Sequence, residues 1–335
     1  MAWYNKIGAE NDVVISSRIR LARNLAGYPF ASRIDKNTAL EIIRKITDAV
    51  NCCDKKYKVV DFAALTPAEA RSYVENHSVS PEFIESALPH ALIADEDEGV
   101  ALMLCEEDHI RLQVLRPGFA LREAYDKACK LDDKLGEKLE LAWDEKLGYL
   151  THCPTNLGTG MRASVMLFLP ALTLNKQIGA LSAMMNKLGL TIRGLYGEGT
   201  DADGFMYQIS NQVTLGITEE NTLKKLSDVI SQIITRERQL RASMMSDAPD
   251  RITDTVMRSI GALRYAHLMS SDEFLRHFAY ARLGIALGLV KDISYDKLGS
   301  LLVAAMPATL TLRAGHELDT NERDLARAKY IRENI

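Results

Sequence analysis

The stretch Cys153-Pro-Thr-Asn-Leu-Gly158-Thr-Gly160-Met-Arg162-Ala-Ser164 sets a cysteine at one end of a glycine-rich loop and an arginine at the other. Directly after it, Ser164 to Leu169 reads as a strand. Further strands follow at Thr191 to Leu195 and Phe205 to Asn211, and Thr218 then caps a long helix running to about Met245. On the N-terminal side, Gly99 to Leu104 and His109 to Leu115 read as two strands joined by the acidic turn Cys105-Glu106-Glu107-Asp108. Phe119 to Leu135 is amphipathic and helical. Val13 to Leu21 reads as a strand running into basic residues. Asn37 to Val50 has helical spacing through Leu40, Ile43, Ile46 and Val50, and Thr66-Pro67 opens a second short helix.

A boundary is expected at Ser246-Asp247-Ala248-Pro249-Asp250, with almost purely helical signal beyond it. Ser270 to Glu273 and Asp319 to Glu322 are capping-box patterns that open two of those helices. The expected fold class is α+β: a catalytic domain over residues 1–246, with a large antiparallel sheet flanked by helices, then an all-α C-terminal domain over 250–335.

Arginines recur where a strand pattern is apolar. Arg18 and Arg20 alternate on one strand and so face one side of it. Arg111 lies in His109-Ile-Arg-Leu-Gln-Val, Arg162 follows the glycine-rich loop, and Arg193 interrupts Leu190-Thr-Ile-Arg-Gly-Leu. Each alone reads as an ion pair at a sheet margin, because an unpaired buried cation is costly. Together they read as an anion clamp, since guanidinium groups match phosphate oxygens in forked geometry. Glu107 stands four residues before Arg111, and Glu198 sits between Gly197 and Gly199.

The common nucleotide motifs are absent: no GxxxxGK[ST], no GxGxxG after a strand, no protein-kinase HRD, DFG or APE. The net charge of −4, from 41 basic and 45 acidic residues, gives no reason to expect nucleic acid or an anionic membrane as partner. Five cysteines without framework spacing read as reduced thiols, and with no CxxC pair or HExxH a metal site in the protein is not expected. The apolar runs are too short to span a bilayer and no signal peptide is visible, so a cytoplasmic location is expected.

With these residues in view, the sequence resembles the phosphagen, or guanidino, kinases over about residues 13–245. CPTNLGTGMRAS is nearly that family's signature. Ser16-Ser-Arg-Ile-Arg20 with Gly27-Tyr-Pro-Phe30, Glu106-Glu-Asp-His-Ile-Arg111, and Arg193-Gly-Leu-Tyr-Gly-Glu198 followed by Tyr207-Gln-Ile-Ser-Asn211 are its other blocks, in order. The resemblance implies ATP and Mg²⁺ as cofactors. It implies Ser17, Arg18, Arg20, Arg111, Arg162 and Arg193 on the nucleotide, Glu107 and Glu198 on the acceptor guanidinium, and Cys153 beside it. Glu106 and Glu107 share the expected role of base, unresolved between them. Free guanidinium has a pKa of about 12.5–13.8, so removing its proton at neutral pH costs roughly 7–9 kcal/mol. Paired carboxylates can orient the group and take the proton as the N–P bond forms.

Two departures stand out, one on the acceptor side and one on the nucleotide side. Small-molecule members carry a helical domain ahead of the catalytic one, and here almost nothing precedes Ser16; a more open acceptor side, suited to arginine on a protein, is expected. Met166 stands where the family's RASVH has histidine, which leaves that nucleotide contact open. The C-terminal part resembles that of bacterial protein-arginine kinases (McsB type), including Arg323-Asp324-Leu-Ala-Arg327-Ala328. That resemblance implies an allosteric phosphoarginine pocket at Arg323, Asp324, Arg327 and Ala328. It also implies protein substrates bearing exposed arginine, a homodimer, a zinc-containing activator (McsA type), and a link to Clp degradation in the stress response. A kinase for free arginine or another small guanidine, and a non-catalytic reader of phosphoarginine, are the other readings.

Overall fold

The computed structural model describes residue 4 and residues 6–52, 57–95, 99–194 and 203–335. Ten strands are formed among them: β1 (Val14–Arg23), β2 (Lys58–Asp61), β3 (Ala91–Asp95), β4 (Val100–Leu104), β5 (Ile110–Pro117), β6 (Trp143–Asp144), β7 (Gly148–Tyr149), β8 (Met161–Phe168), β9 (Leu190–Gly194) and β10 (Met206–Asn211). Eight of these make one antiparallel sheet in the order β2-β3-β4-β5-β1-β8-β10-β9, and β6 and β7 form a separate hairpin.

Period-2 alternation gives the central strands two unlike faces. Ile19, Leu21, Leu112, Val114, Ala163, Val165, Ile192 and Ile209 point to one side and are buried. That face is covered by α1 (Lys36–Asn51), and by α4 (Leu121–Gly136), α6 (Ile178–Lys187) and α7 (Glu219–Asp247), whose apolar residues join the same core. Within α1 the buried line is Ala39, Ile42, Ile46, Ala49 and Val50, while Leu40 is 55% exposed. The helix is where its spacing predicts, but the inward face is rotated from the expected Leu40–Ile43 line because the sheet fixes which side is covered.

Among the described residues, the other face is covered in two places. Over β2–β4, the segment carrying α2 (Pro67–Glu75) and α3 (Pro81–Ile84) packs Val79 and Phe83 on Leu92, Ala94, Ala101 and Met103. At the far end, α5 (Pro170–Leu174) follows β8, and Phe168 and Met206 join a core built by the C-terminal helices. Those are α8 (Pro249–Tyr265), α9 (Ser271–Ala286), α10 (Tyr295–Ala304), α11 (Pro307–Ala314) and α12 (Thr320–Asn334). Only Ala248, at φ −146° and ψ 58°, stands between α7 and α8, a one-residue kink inside the stretch 246–250.

The caps follow the sequence with one difference. Thr66 with Glu69 and Asp319 with Glu322 close reciprocal capping boxes. Ser270 caps α9 through Glu273 N at 3.2 Å, but the Glu273 carboxylate turns to His277 Nε2 at 3.7 Å instead of closing the box.

Candidate active site

Strand register gathers the arginines on the face of the sheet opposite the helix-covered core. Arg20 sits opposite both Gln113 of β5 and Arg162 of β8, Arg18 opposite Ser164, and Arg193 opposite Gln208. Residues opposite one another in an antiparallel ladder share a face. Five arginines from four strands (Arg18 and Arg20 of β1, Arg111 of β5, Arg162 of β8 and Arg193 of β9) therefore line one cavity of about 880 Å³.

Two of these cations rest on neutral acceptors. Arg18 donates from Nε to Ser164 Oγ at 3.3 Å and from Nη2 to Gln208 Oε1. Arg162 donates from Nε and Nη2 to Ser210 Oγ at 3.3 and 3.2 Å. Arg20 Nε is buried with no hydrogen-bond partner among the described residues. Burial, and then the neighbouring Arg111 and Arg162, push the Arg18 guanidinium down to about 10. Burial and the other arginines also lower Arg20 well below its usual range, and burial with Arg193 and Arg111 lowers Arg162. A cluster of buried cations that repel one another is relieved by a polyanion.

Acidic residues form the facing rim. Arg111 Nη1 donates to Glu106 Oε1, and Ser80 Oγ donates to the same oxygen at 2.6 Å. Burial favours the protonated form of Glu106, but Arg111 and Ser80 hold its carboxyl below the usual carboxylate range. Glu107 also lines the cavity; its Oε1 is 3.6 Å from His152 Nδ1. Asp108, 3% exposed, accepts from Asn24 Nδ2 at 2.6 Å and His152 N at 2.7 Å. It thereby ties the acidic turn to the start of the glycine-rich loop.

Close backbone approach fixes that loop. Gly158, at φ +96°, leaves only 2.3 Å between an added Cβ and Thr214 O. Gly160, at φ +60°, would place a Cβ 2.6 Å from Arg23 Nη1. Arg23 in turn donates to Thr159 O at 3.1 Å and pairs with Asp132 of α4 at 2.8 Å. Cys153 is partly exposed at the loop's start, with Sγ 3.0 Å from Thr155 Oγ1 and close enough to Arg162 to act on it electrostatically.

The expected site residues do not all converge. Ser17 is a correction: it is fully buried on the opposite face of β1, donating to Gly118 O at 2.8 Å and accepting from Ala120 N at 3.0 Å. The alternation that brings Arg18 and Arg20 to the cavity turns Ser17 away from it. Glu198 lies outside the described residues. Met166 shares the cavity face of β8 with Arg162 and Ser164 but is 6% exposed. Gln208, Ser210, Ser164 and Ser80 hold the charged groups in place and were not singled out from sequence. The i, i+2 alternation of Gln208 and Ser210 on β10 was the available signal.

The C-terminal motif lies on α12. Arg327 is 1% exposed and donates from Nε to Ala305 O at 2.9 Å and from Nη1 to Met269 O at 2.7 Å and Asp324 Oδ1 at 2.6 Å. Arg323 stays near the surface, 3.2 Å from Thr320 Oγ1, and Ala328 is buried. The two arginines are one helical turn apart but differ in depth.

Comparison with known proteins agrees with this geometry. Residues 40–240 match the family described as ATP:guanido phosphotransferase, C-terminal catalytic domain, and residues 249–335 match the protein-arginine kinase McsB C-terminal domain. The chain is 42% identical to a protein-arginine kinase of Pelotomaculum thermopropionicum, over 98% of this chain and 94% of that one. It is 40% identical to one of Clostridium acetobutylicum, over 99% of each. Among solved structures, the duplicated taurocyamine kinase of Schistosoma mansoni superposes with a TM-score of 0.64 at 23% identity, over 76% of this chain and 38% of that one. A lombricine kinase gives 0.62 at 24% identity, over 72% of this chain and 71% of that one. These two likenesses concern the fold.

Proposed function

The chain belongs to the protein-arginine kinase family, within the ATP:guanido phosphotransferases, and on that premise we propose that it transfers the γ-phosphoryl group of ATP to arginine side chains of proteins. One observation carries the reading: five arginines, three of them held down by burial and mutual repulsion, face Glu106 and Glu107 across one cavity. The arginine side suits a triphosphate. The acidic side suits a guanidinium.

In the reaction the bond from the γ-phosphorus to the bridging oxygen breaks, ADP leaves, and an N–P bond forms. The proton on that nitrogen must go to a carboxylate. We assign that role to Glu107, since Glu106 is held by Arg111. Glu198 joins as the second carboxylate by its match to the family's motif, and Cys153, as thiolate, would add negative charge beside the guanidinium. Arg18, Arg20, Arg111, Arg162 and Arg193 hold the phosphates and balance the charge spreading over the transferring group. The unpartnered Arg20 Nε suits a phosphate oxygen. Among the described residues no group of three or more His, Cys, Asp or Glu is placed to hold a metal. Mg²⁺ bound with the nucleotide would lower the charge that the arginines have to balance.

The finer expectations rest on the family. They are a phosphoarginine pocket at Arg323, Asp324, Arg327 and Ala328, a homodimer, a zinc-containing activator, delivery of marked proteins to Clp machinery in the stress response, and a cytoplasmic location. The half-buried Arg323, one turn before the buried Arg327 that pairs with Asp324, supports the first. Among the described residues no helix is long and apolar enough to cross a membrane, which is compatible with the last.

The test offers the protein ATP with an unfolded acceptor protein or with free arginine. Mass spectrometry under conditions that spare N–P bonds is expected to find phosphoarginine on the protein. Turnover of free arginine alone would overturn the choice of acceptor.

A further inference from the structure

Two distant parts of the sequence border the cavity: the α2–α3 segment lines one side, and the C-terminal helices reach it at Met306, just before α11. They meet at one carboxylate. Glu75, the last residue of α2, accepts from Ala308 N at 2.7 Å, Thr309 N at 2.8 Å and Thr309 Oγ1 at 2.7 Å.

Those are the free donors of the first turn of α11. Its N-cap is Met306, which has no side-chain oxygen to offer, and Pro307 has no N–H. Leu310 N already bonds Met306 O. Glu75 therefore supplies from another helix the cap that α11 lacks, with its negative charge at the positive end of the helix. Glu75 and Met306 both line the catalytic cavity, and Arg327 of α12 holds the preceding carbonyl, Ala305 O.

On its other side Glu75 leads into the residues that hold the acidic rim. Gln113 Nε2, two residues past Arg111, donates to His77 O at 2.8 Å. Ser80 Oγ then bonds Glu106, and Glu106 holds Arg111. Ser80, which bonds the carboxylate that orders a proposed phosphate-binding arginine, lies five positions after Glu75 in the chain.

We propose that Glu75 is a positioning residue for phosphoryl transfer: by capping α11 it locks the α2–α3 wall to the C-terminal helices and so sets Ser80 and Glu106 against the arginine face. The proposal rests on the phosphotransfer reading above. It makes the geometry of the catalytic cavity depend on the C-terminal helices through one side chain.

Glu237 provides the control, because it plays the same structural part elsewhere. It is buried on α7 and caps α5 through Ala171 N and Leu172 N, both at 2.9 Å, without lining the cavity. The experiment measures thermal unfolding, ATP affinity and kcat per folded molecule for wild type, Glu75→Gln, Glu237→Gln, Ser80→Ala and the Glu75→Gln/Ser80→Ala double variant. Rates are read on whichever guanidino acceptor the wild type phosphorylates. An inactive wild type counts against the assigned reaction, whereas an active one isolates the role of Glu75. Both glutamate variants should unfold at lower temperature. Only Glu75→Gln should lose about tenfold or more in kcat, with ATP affinity within about twofold, as expected when catalytic groups are misplaced rather than removed. Its loss and that of Ser80→Ala should not multiply in the double variant. A kcat for Glu75→Gln equal to that of Glu237→Gln, or losses that multiply, would overturn the proposal. Should Glu75→Gln not fold, Thr309→Val removes only the hydroxyl contact. It should lower kcat in the same direction by a smaller factor, and an unchanged kcat there would also count against the role.

Discussion

Glu106 and Glu107 are neighbours in the chain with opposite surroundings: the Glu106 side chain is 8% exposed and paired with Arg111, while that of Glu107 is 42% exposed and 3.6 Å from His152. The turn between β4 and β5 sends one carboxylate into the sheet margin and the other to the cavity mouth. Their replacements should therefore separate. Glu107→Gln is expected to leave stability within about 0.5 kcal/mol, as for other surface changes, and to lower kcat by about a hundredfold or more, the scale of a lost general base. Glu106→Gln should cost about 1.5–3 kcal/mol of stability, because charge-assisted bonds to Arg111 and Ser80 are weakened. Urea unfolding and initial rates measured side by side check the split. Equal stability losses would sink it.

The glycine-rich loop should tolerate no side chain at Gly158. Its φ of +96° and the 2.3 Å approach to Thr214 O leave a Cβ no place that spares the backbone. Gly158→Ala should lose about 1–3 kcal/mol, the scale of one strained residue, and should displace Cys153 and Arg162 with the loop. Gly136, at the end of α4, meets nothing within 4 Å and has an ordinary φ. Gly136→Ala should be neutral or stabilising by about 0.4–1 kcal/mol. Thermal unfolding of the two variants tests the contrast.

A buried ion pair anchors the same loop from beneath. Arg23 and Asp132 are 3% and 7% exposed, with three hydrogen bonds between them of 2.8–3.1 Å. Arg23 also stacks over Tyr149 at 3.4 Å. Removing one partner strands the other charge, so Asp132→Ala should cost about 3–5 kcal/mol. Arg23→Met/Asp132→Leu, which removes both charges, should cost markedly less than Asp132→Ala. Denaturant midpoints that fall equally in the two variants would show that the pair is not the relevant contact.

His77 gives the fold an acid limit. Burial, and then Arg18, push its imidazole down to about 4, below the ordinary value of about 6.5 for a free ring. Above pH 6.5 both native and unfolded chains hold it neutral. Between about 6.5 and 4 the unfolded chain takes up a proton that the native protein does not, so stability falls as the pH falls. His77 has a φ of +61°, which asparagine tolerates better than most residues. His77→Asn should therefore lose less stability than wild type between about pH 7 and pH 5. Parallel urea-unfolding curves for the two proteins across that range would rule the effect out.

Sequence alone determined β1, β4, β5, β8, β9 and β10 but not β2, β3, β6 or β7, together with the caps at Thr66, Thr218 and Asp319 and the arginines destined for one face. Those signals are local: period 2 in a strand, a side-chain oxygen before a helix, a cation in an apolar run. The same local rule, applied strictly, also excludes Ser17 from the face of Arg18 and Arg20. The motif around Gly158 and Gly160 was legible as a loop, and through resemblance as part of a guanidino-kinase site. Its reason was not, because the atoms that forbid a Cβ there belong to Thr214, Ala22 and Arg23.

Tertiary structure decided the rest. Register between β1, β8 and β10 chose neutral Gln208, Ser164 and Ser210 as partners of the arginines. Packing of α12 drew Arg327 inside while leaving Arg323 near the surface. The difference between Glu106 and Glu107, invisible in two identical letters, came from a turn that buries one and exposes the other. Glu75 reads as an ordinary helix-ending glutamate until α11, more than two hundred residues later in the chain, arrives without a cap of its own. Local sequence fixes which side chains can bear charge, but the balance of burial and pairing that gives each charge its role depends on contacts between segments the chain keeps far apart.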